Sequence, residues 1–168
     1  SGNLYLLPAS QTDDKDVVSE DEISSVVDIS RREFNFILID SPAGIEQGFK
    51  NACAAADEAL VITTPEVSAI RDADRVVGLL NARNIDAHLI INRVDFDMVR
   101  RGDMLEVKDV QEVLGLDLLG VVVRDEEVIV AANSGEPVTY NDRSRAGNAF
   151  MRIASRLCGE VIPIPDHA

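Results

Sequence analysis

The sequence predicts an α/β fold: an open, mainly parallel sheet with helices on both faces. Three observations point to it. Short apolar runs recur along the chain, each followed by a segment of helical period. Several runs are continuous rather than alternating, Phe36-Ile-Leu-Ile among them, as in strands covered on both faces. Aromatic residues make up only 4% of the chain and Trp is absent, so a core must rest on Val, Ile, Leu and Ala, which suits parallel strands. With 168 residues, 46% hydrophobic and 27% charged, the chain is sized for one ordinary globular domain, and 1–168 reads as a single unit.

The strand candidates, in order, are residues 4–8, 36–40, 59–64, 87–92 and 118–123. Between and after them lie amphipathic stretches. Val67, Ile70, Ala73, Val77 and Leu80 form one helical stripe, with Arg71, Asp72, Asp74 and Arg75 on other faces. Val107, Val110, Val113 and Leu114 form a shorter stripe that stops before Gly115. Ala146, Ala149, Phe150, Ile153, Ala154 and Leu157 form the cleanest, and Gly159 closes it as a C′ glycine. Strand–helix alternation at this spacing reads as right-handed βαβ units.

Net charge is −14, and residues 1–46 carry ten acidic and three basic side chains of it. Such a surface repels phosphate backbones, which argues against a nucleic-acid partner. Cys53 and Cys158 sit in apolar helical surroundings and read as small buried thiols in a reducing, cytoplasmic compartment. His88 and His167 have no Cys or His at ligand spacing, so neither is given a metal. No apolar run approaches the roughly 18 residues a membrane span needs.

Open parallel sheets place ligands at the carboxyl ends of their strands. The polar residues there are Asp40-Ser-Pro-Ala-Gly44, Thr63-Thr-Pro-Glu66, Asn92-Arg-Val-Asp95 and Arg124-Asp-Glu-Glu127. Asp40, after an apolar run, can order the water shell of a Mg²⁺ ion, and Gly44 allows a backbone N–H to approach a phosphate closely. The same residues also fit an Asp that caps a following helix and a Gly that makes a turn. Chemistry alone leaves both open.

Asp40-Ser-Pro-Ala-Gly-Ile-Glu-Gln-Gly48 resembles the Walker B and second switch region of the MinD family, ATPases of the ParA/MinD group that position the division septum. Leu7-Pro-Ala-Ser-Gln-Thr-Asp-Asp-Lys-Asp16, Thr63-Thr-Pro-Glu-Val-Ser-Ala-Ile-Arg-Asp-Ala-Asp-Arg75, Asn92-Arg-Val94, Gly102-Asp-Met-Leu105, Leu118-Leu-Gly-Val121 and Asn133-Ser-Gly-Glu-Pro-Val138 resemble MinD segments in the same order. The resemblance implies ATP and Mg²⁺ as cofactors. It implies Asp40 and Gly44 as catalytic residues, with Asp40 as the Mg²⁺ ligand through water. Asn92 and Asp125 would line the base and ribose pocket, and Glu66 would face the nucleotide across a homodimer. Val123 and Arg124 depart from the Pro or acidic residues common in the family at that loop. Arg71, Asp72, Asp74 and Arg75 would lie on the surface that meets MinC and MinE. The implied place of action is the cytoplasm and, peripherally, the inner face of the cell membrane.

Two family features are not found. MinD proteins bind phosphates with a glycine- and lysine-rich loop near the N-terminus, yet none of the ten glycines here is followed by Lys. The resemblance begins where the family is already at its third or fourth strand, so the chain reads as a partial P-loop ATPase domain without the strand that carries that loop. The expectations are uncovered aliphatic surface, marginal stability and no tight ATP binding. The family also ends in a basic amphipathic membrane helix, whereas no Lys or Arg follows Arg156. Two other readings remain: a ParA-like partitioning ATPase, and a degenerate module that binds partners through the 67–80 helix without nucleotide.

Overall fold

The computed structural model describes residues 3–8, 18–42 and 44–165. They fall into two compact units, Ser1–Ala56 and Asp57–Ala168, where the sequence had read as one.

The first unit holds two helices, α1 (Glu20–Ser30) and α2 (Gln47–Ala54), packed on each other. Ser19 and Glu22 form a capping box: the Glu22 N–H donates to Ser19 Oγ at 3.3 Å and the Ser19 N–H to Glu22 Oε2 at 2.8 Å. The S-x-x-E spacing that starts α1 is legible in the sequence. The buried apolar side chains of this unit are Val27, Phe49 and Cys53. The buried Asn51 amide is satisfied, donating to the Val18 carbonyl at 2.7 Å and accepting from Gln47 Nε2 at 2.8 Å.

Two expected strands do not form here. Residues 4–8 and 36–40 are irregular, and Leu4, Leu6, Leu7, Phe36 and Leu38 are exposed, Leu38 at 82%. Tyr5 of the first run meets Phe34 edge to face, with ring centroids 5.2 Å apart. An apolar run becomes a strand only when a neighbouring backbone pairs with it, and among the described residues of this unit there is no such ladder. The expectation of uncovered aliphatic surface is met at these two runs.

The second unit contains the other three strands, within two residues of their expected bounds: β1 (Glu58–Thr63), β2 (Asp86–Val94) and β3 (Asp117–Val123). They form a parallel sheet in the order β1-β2-β3. Helix α3 (Val67–Ala82) links β1 to β2; α4 (Phe96–Arg101) and α5 (Val107–Leu114) link β2 to β3. After β3 come α6 (Glu127–Ser134), a 3₁₀ turn (Val138–Tyr140) and α7 (Arg145–Leu157).

Both faces of the sheet are covered, as continuous apolar strands require. Ile90 and Val122 pack with Ala146, Ala149 and Ile153 of α7. Alternation sends Leu89, Ile91, Val121 and Val123 to the opposite face, and α3 and α5 pack on the sheet and on each other. Helix α7 can lie close because β3 carries Gly120, where an added Cβ would stand 2.4 Å from Ile153 Cγ1.

The helical stripes are narrower than the sequence suggested. Val67, Phe150 and Ala154 are exposed, because Ile70, Ala73, Val77 and Leu80 on α3, and Ala146, Ala149 and Ile153 on α7, already fill the contact lines. Cys158, expected to be buried, is exposed beyond the last turn of α7. Gly159 closes α7 as expected: at φ +89° it lets the Glu160 N–H reach the Ser155 carbonyl at 3.0 Å, a Schellman closure.

Gly120→Ala should lower stability by about 1–3 kcal/mol through overpacking against Ile153. Urea unfolding followed by circular dichroism checks it. Combined with Ile153→Ala, the loss should be less than the sum of the two single effects, since the second change removes the clash.

Candidate functional site

Parallel pairing brings all three strands of the second unit to a common carboxyl edge. β1 ends in the buried Thr63 and runs through Thr64 and Pro65 to Glu66, the N-cap of α3. Glu66 is exposed and makes no side-chain capping bond. Its place at the start of a helix is the one an acid favours through the helix dipole.

Near the end of β2 lies Asn92, which is half-buried. The register between β2 and β3 slips after Ile91 and resumes at Val94, so Asn92 and Arg93 form a bulge. Arg93 takes φ +58°, an unfavourable region for a side chain of this size, and its N–H donates to Asn92 Oδ1 at 2.8 Å. That bond orients the amide. Just beyond, Asp95 caps α4 by accepting the N–H groups of Asp97 at 3.0 Å and Met98 at 3.2 Å.

β3 ends at Arg124 and Asp125. The Arg124 N–H donates to the Val94 carbonyl at 2.9 Å, extending the ladder by one bond, and its guanidinium lies 3.9 Å from Asp95. The Asp125 carboxylate is fully engaged within the fold. Oδ2 accepts from Ser144 Oγ at 2.8 Å and from the Ala146 N–H at 3.1 Å, and Oδ1 accepts from the Glu127 N–H at 3.0 Å. Ser144 in turn caps α7, accepting the Gly147 N–H at 2.9 Å. Burial pushes the Asp125 carboxyl upward, but the hydrogen bonds from Ala146, Ser144 and Glu127 outweigh it and hold the group below its ordinary value. What Asp125 supplies directly is therefore the shape of the β3–α6 loop and its attachment to α7. The Ser144 cap, a Ser immediately before the apolar period of α7, could have been found in the sequence. The Arg93 bulge had no sequence signal.

Asp40 and Gly44 belong to the first unit. Asp40, expected at the end of a buried strand, is exposed in an irregular segment, because residues 36–40 lack a pairing partner there. Gly44 has φ +103°, a conformation few other residues adopt, and Ala43 lies outside the described residues. Pro42 stacks on α2, where a Cβ at Gly48 would meet its ring at 2.5 Å. Among the described residues no group of three His, Cys, Asp or Glu side chains is placed to hold a metal ion. Arg71, Asp72, Asp74 and Arg75 are all exposed on α3, with Arg75 and Asp72 4.0 Å apart. No helix among the described residues is long and apolar enough to cross a membrane.

A three-stranded parallel sheet between helices, with polar loops at one edge, is the architecture of P-loop NTPases of the ParA/MinD group. A family profile described as "Cellulose biosynthesis protein BcsQ" matches residues 3–158. The septum site-determining protein MinD of Bacillus subtilis is 46% identical over 163 residues, covering 96% of this chain and 61% of that protein. MinD of Synechocystis is 45% identical over 166 residues, covering 98% and 62%. Among solved structures, the MinC:MinD cell division protein complex of Aquifex aeolicus matches with a TM-score of 0.86 at 37% identity, covering 90% of this chain and 64% of that one. MinD of Pyrococcus horikoshii complexed with Mg-ADP matches with a TM-score of 0.74 at 26% identity, covering 83% and 56%. The chain belongs to the MinD family, within the ParA/MinD group. It spans about three fifths of the length of these curated relatives.

Asp125→Ala leaves the Ser144 hydroxyl and the Ala146 and Glu127 N–H groups without their acceptor, and should cost about 1–3 kcal/mol. The sign with pH follows from the lowered folded-state value. The contribution is present above the ordinary carboxyl value of about 3.9 and is lost as pH falls through the lower folded one. Urea midpoints measured from neutral pH into that acid range should therefore converge for the two proteins at the acid end.

Proposed function

We propose that the chain is part of a MinD-type ATPase that positions the division septum. The parent would work by ATP-dependent dimerisation, peripheral association with the inner face of the cell membrane and recruitment of the division inhibitor MinC. MinE or another topological regulator would be a further partner. The observation that carries this reading is the 46% identity with a septum site-determining MinD across 96% of the chain. MinC as partner is supported by the relative solved in a MinC:MinD complex, and Mg-nucleotide by the relative solved with Mg-ADP. The net charge of −14 disfavours the ParA-like alternative, which needs a basic surface for DNA.

The residues at the carboxyl edge fit the base end of a nucleotide. Asn92 offers an oriented amide with donor capacity remaining on Nδ2, suited to an adenine edge. Asp125 would position the loop beside it and Glu66 would face the nucleotide across the dimer. The phosphate end is not provided for: no glycine is followed by Lys, and Asp40 is a single exposed carboxylate. When bound, Mg-ATP would bring the charge and the scissile phosphate bond; Asp40 would hold the metal's water and Gly44 would admit a phosphate oxygen to its backbone N–H. No hydrolytic step is assigned to residues of this chain alone. The exposed charges Arg71, Asp72, Asp74 and Arg75 would serve as the partner-facing side of α3.

Calorimetric titration of Mg-ATP into the 168-residue chain should give no heat beyond dilution; micromolar binding would contradict the claim that a phosphate loop is indispensable. Joining the N-terminal segment of the Bacillus subtilis relative to this chain should then yield Mg-dependent ATP hydrolysis. Asp40→Asn in that chimera should reduce the rate on the order of 10²-fold or more. An unchanged rate would remove Asp40 from the site.

A further inference from the structure

Beyond α7 the chain does not leave the domain at once. Arg156, in the last turn of that helix, donates to three carbonyl groups: Nε to Ile162 at 2.8 Å, Nη2 to Pro163 at 2.7 Å and Nη1 to Leu119 of β3 at 2.9 Å. One guanidinium thus ties the segment after α7 to β3. The five donors of arginine sit in a rigid fork, so three well-placed carbonyls fix the path of the segment as well as holding it.

The segment that is held has a two-residue period. Ile162 and Ile164 are half-buried, while Val161, Pro163 and Pro165 are exposed. Alternation of this kind is what an extended segment shows when one side lies on apolar ground. The ground is a cleft of about 1280 Å³ beside β3, whose apolar wall includes Val94, Leu118, Val121 and Val123, with Ile164 and Pro165 completing it. Among the described residues β3 pairs on one side only, with β2. Its other side is an open edge of the kind that recruits foreign strands. Pro163 and Pro165 have no N–H, so the segment does not offer a further ladder to a newcomer.

We propose that residues 161–165 form a strap that closes the cleft beside β3 in cis. Arg156 is its clasp and Ile164 its seat. When the clasp holds, Ile164 and Pro165 wall one side of the cleft. When it releases, that side is open to solvent. The strap lies wholly within the second unit.

The chain has no Trp, so Ile164→Trp places a single reporter at the seat. In the 168-residue chain its emission should be blue-shifted and weakly quenched by acrylamide. Adding Arg156→Gln should shift the emission to the red and raise quenching several-fold, with the far-ultraviolet circular dichroism unchanged. Arg156 also bonds β3, so that variant can fail to fold. Ile162→Ser in the Trp background leaves the bond to Leu119 in place and should give the same red shift. Solvent-like emission with Arg156 intact, or emission unmoved by Ile162→Ser in a folded chain, would overturn the strap.

Discussion

The second unit depends on the burial of one strand. Leu89 and Ile91 of β2 are fully buried, and Val94 at its end is at 1% exposure. A central parallel strand reaches that state only with a partner on each edge and helices over each face. β1 and β3 supply the edges; α3 and α5 cover one face and α7 the other. The parallel sense then decides where function can lie. Every connection must return over a face before the next strand starts, so the ends of β1, β2 and β3 open on the same edge. Glu66, Asn92 and Asp125 come to that edge because of the ladder, although they are far apart in sequence.

The edge is firmly built where polar groups are buried. Ser144, at 1% exposure, would be costly without a partner; Asp125 accepts from it and from the first turn of α7. The same carboxylate shapes the β3–α6 loop, so the loop and the helix that covers β3 are set together. Against this stands the bulge at Asn92 and Arg93, where a non-glycine residue is held at positive φ. Such conformations persist only when the surroundings impose them, and here the ladder on either side does so. An amide oriented by that strained neighbour is consistent with the nucleotide-facing role proposed for Asn92.

The sheet of the second unit was legible because its apolar runs are flanked by helices of clear period, as with residues 87–92 between α3 and α5. Residues 36–40 carry an equally strong run, Phe36-Ile-Leu-Ile, and yet are not a strand. Pattern reports suitability for burial, whereas a strand also needs a backbone to pair with, and pairing is not written in the run itself. The helix stripes erred in the same direction: Phe150 and Ala154 fit the period of α7 but lie beside the line that Gly120 lets into contact. For the site, residue types and order identified the edge and the family, and the Ser144 cap was legible too, while the Arg93 bulge and the Arg156 clasp arise from tertiary placement.

The central claim is that order in this chain follows strand pairing: the second unit has its ladder, and the apolar runs of the first do not. Amide hydrogen exchange, resolved by residue, tests it most directly. The account predicts slow exchange for Leu89 through Ile91 and for Val121 and Val122, with exchange at residues 36–40 close to that of an unstructured peptide. Protection at residues 36–40 as strong as that in β2 would mean that the run is paired in solution, and would contradict the account.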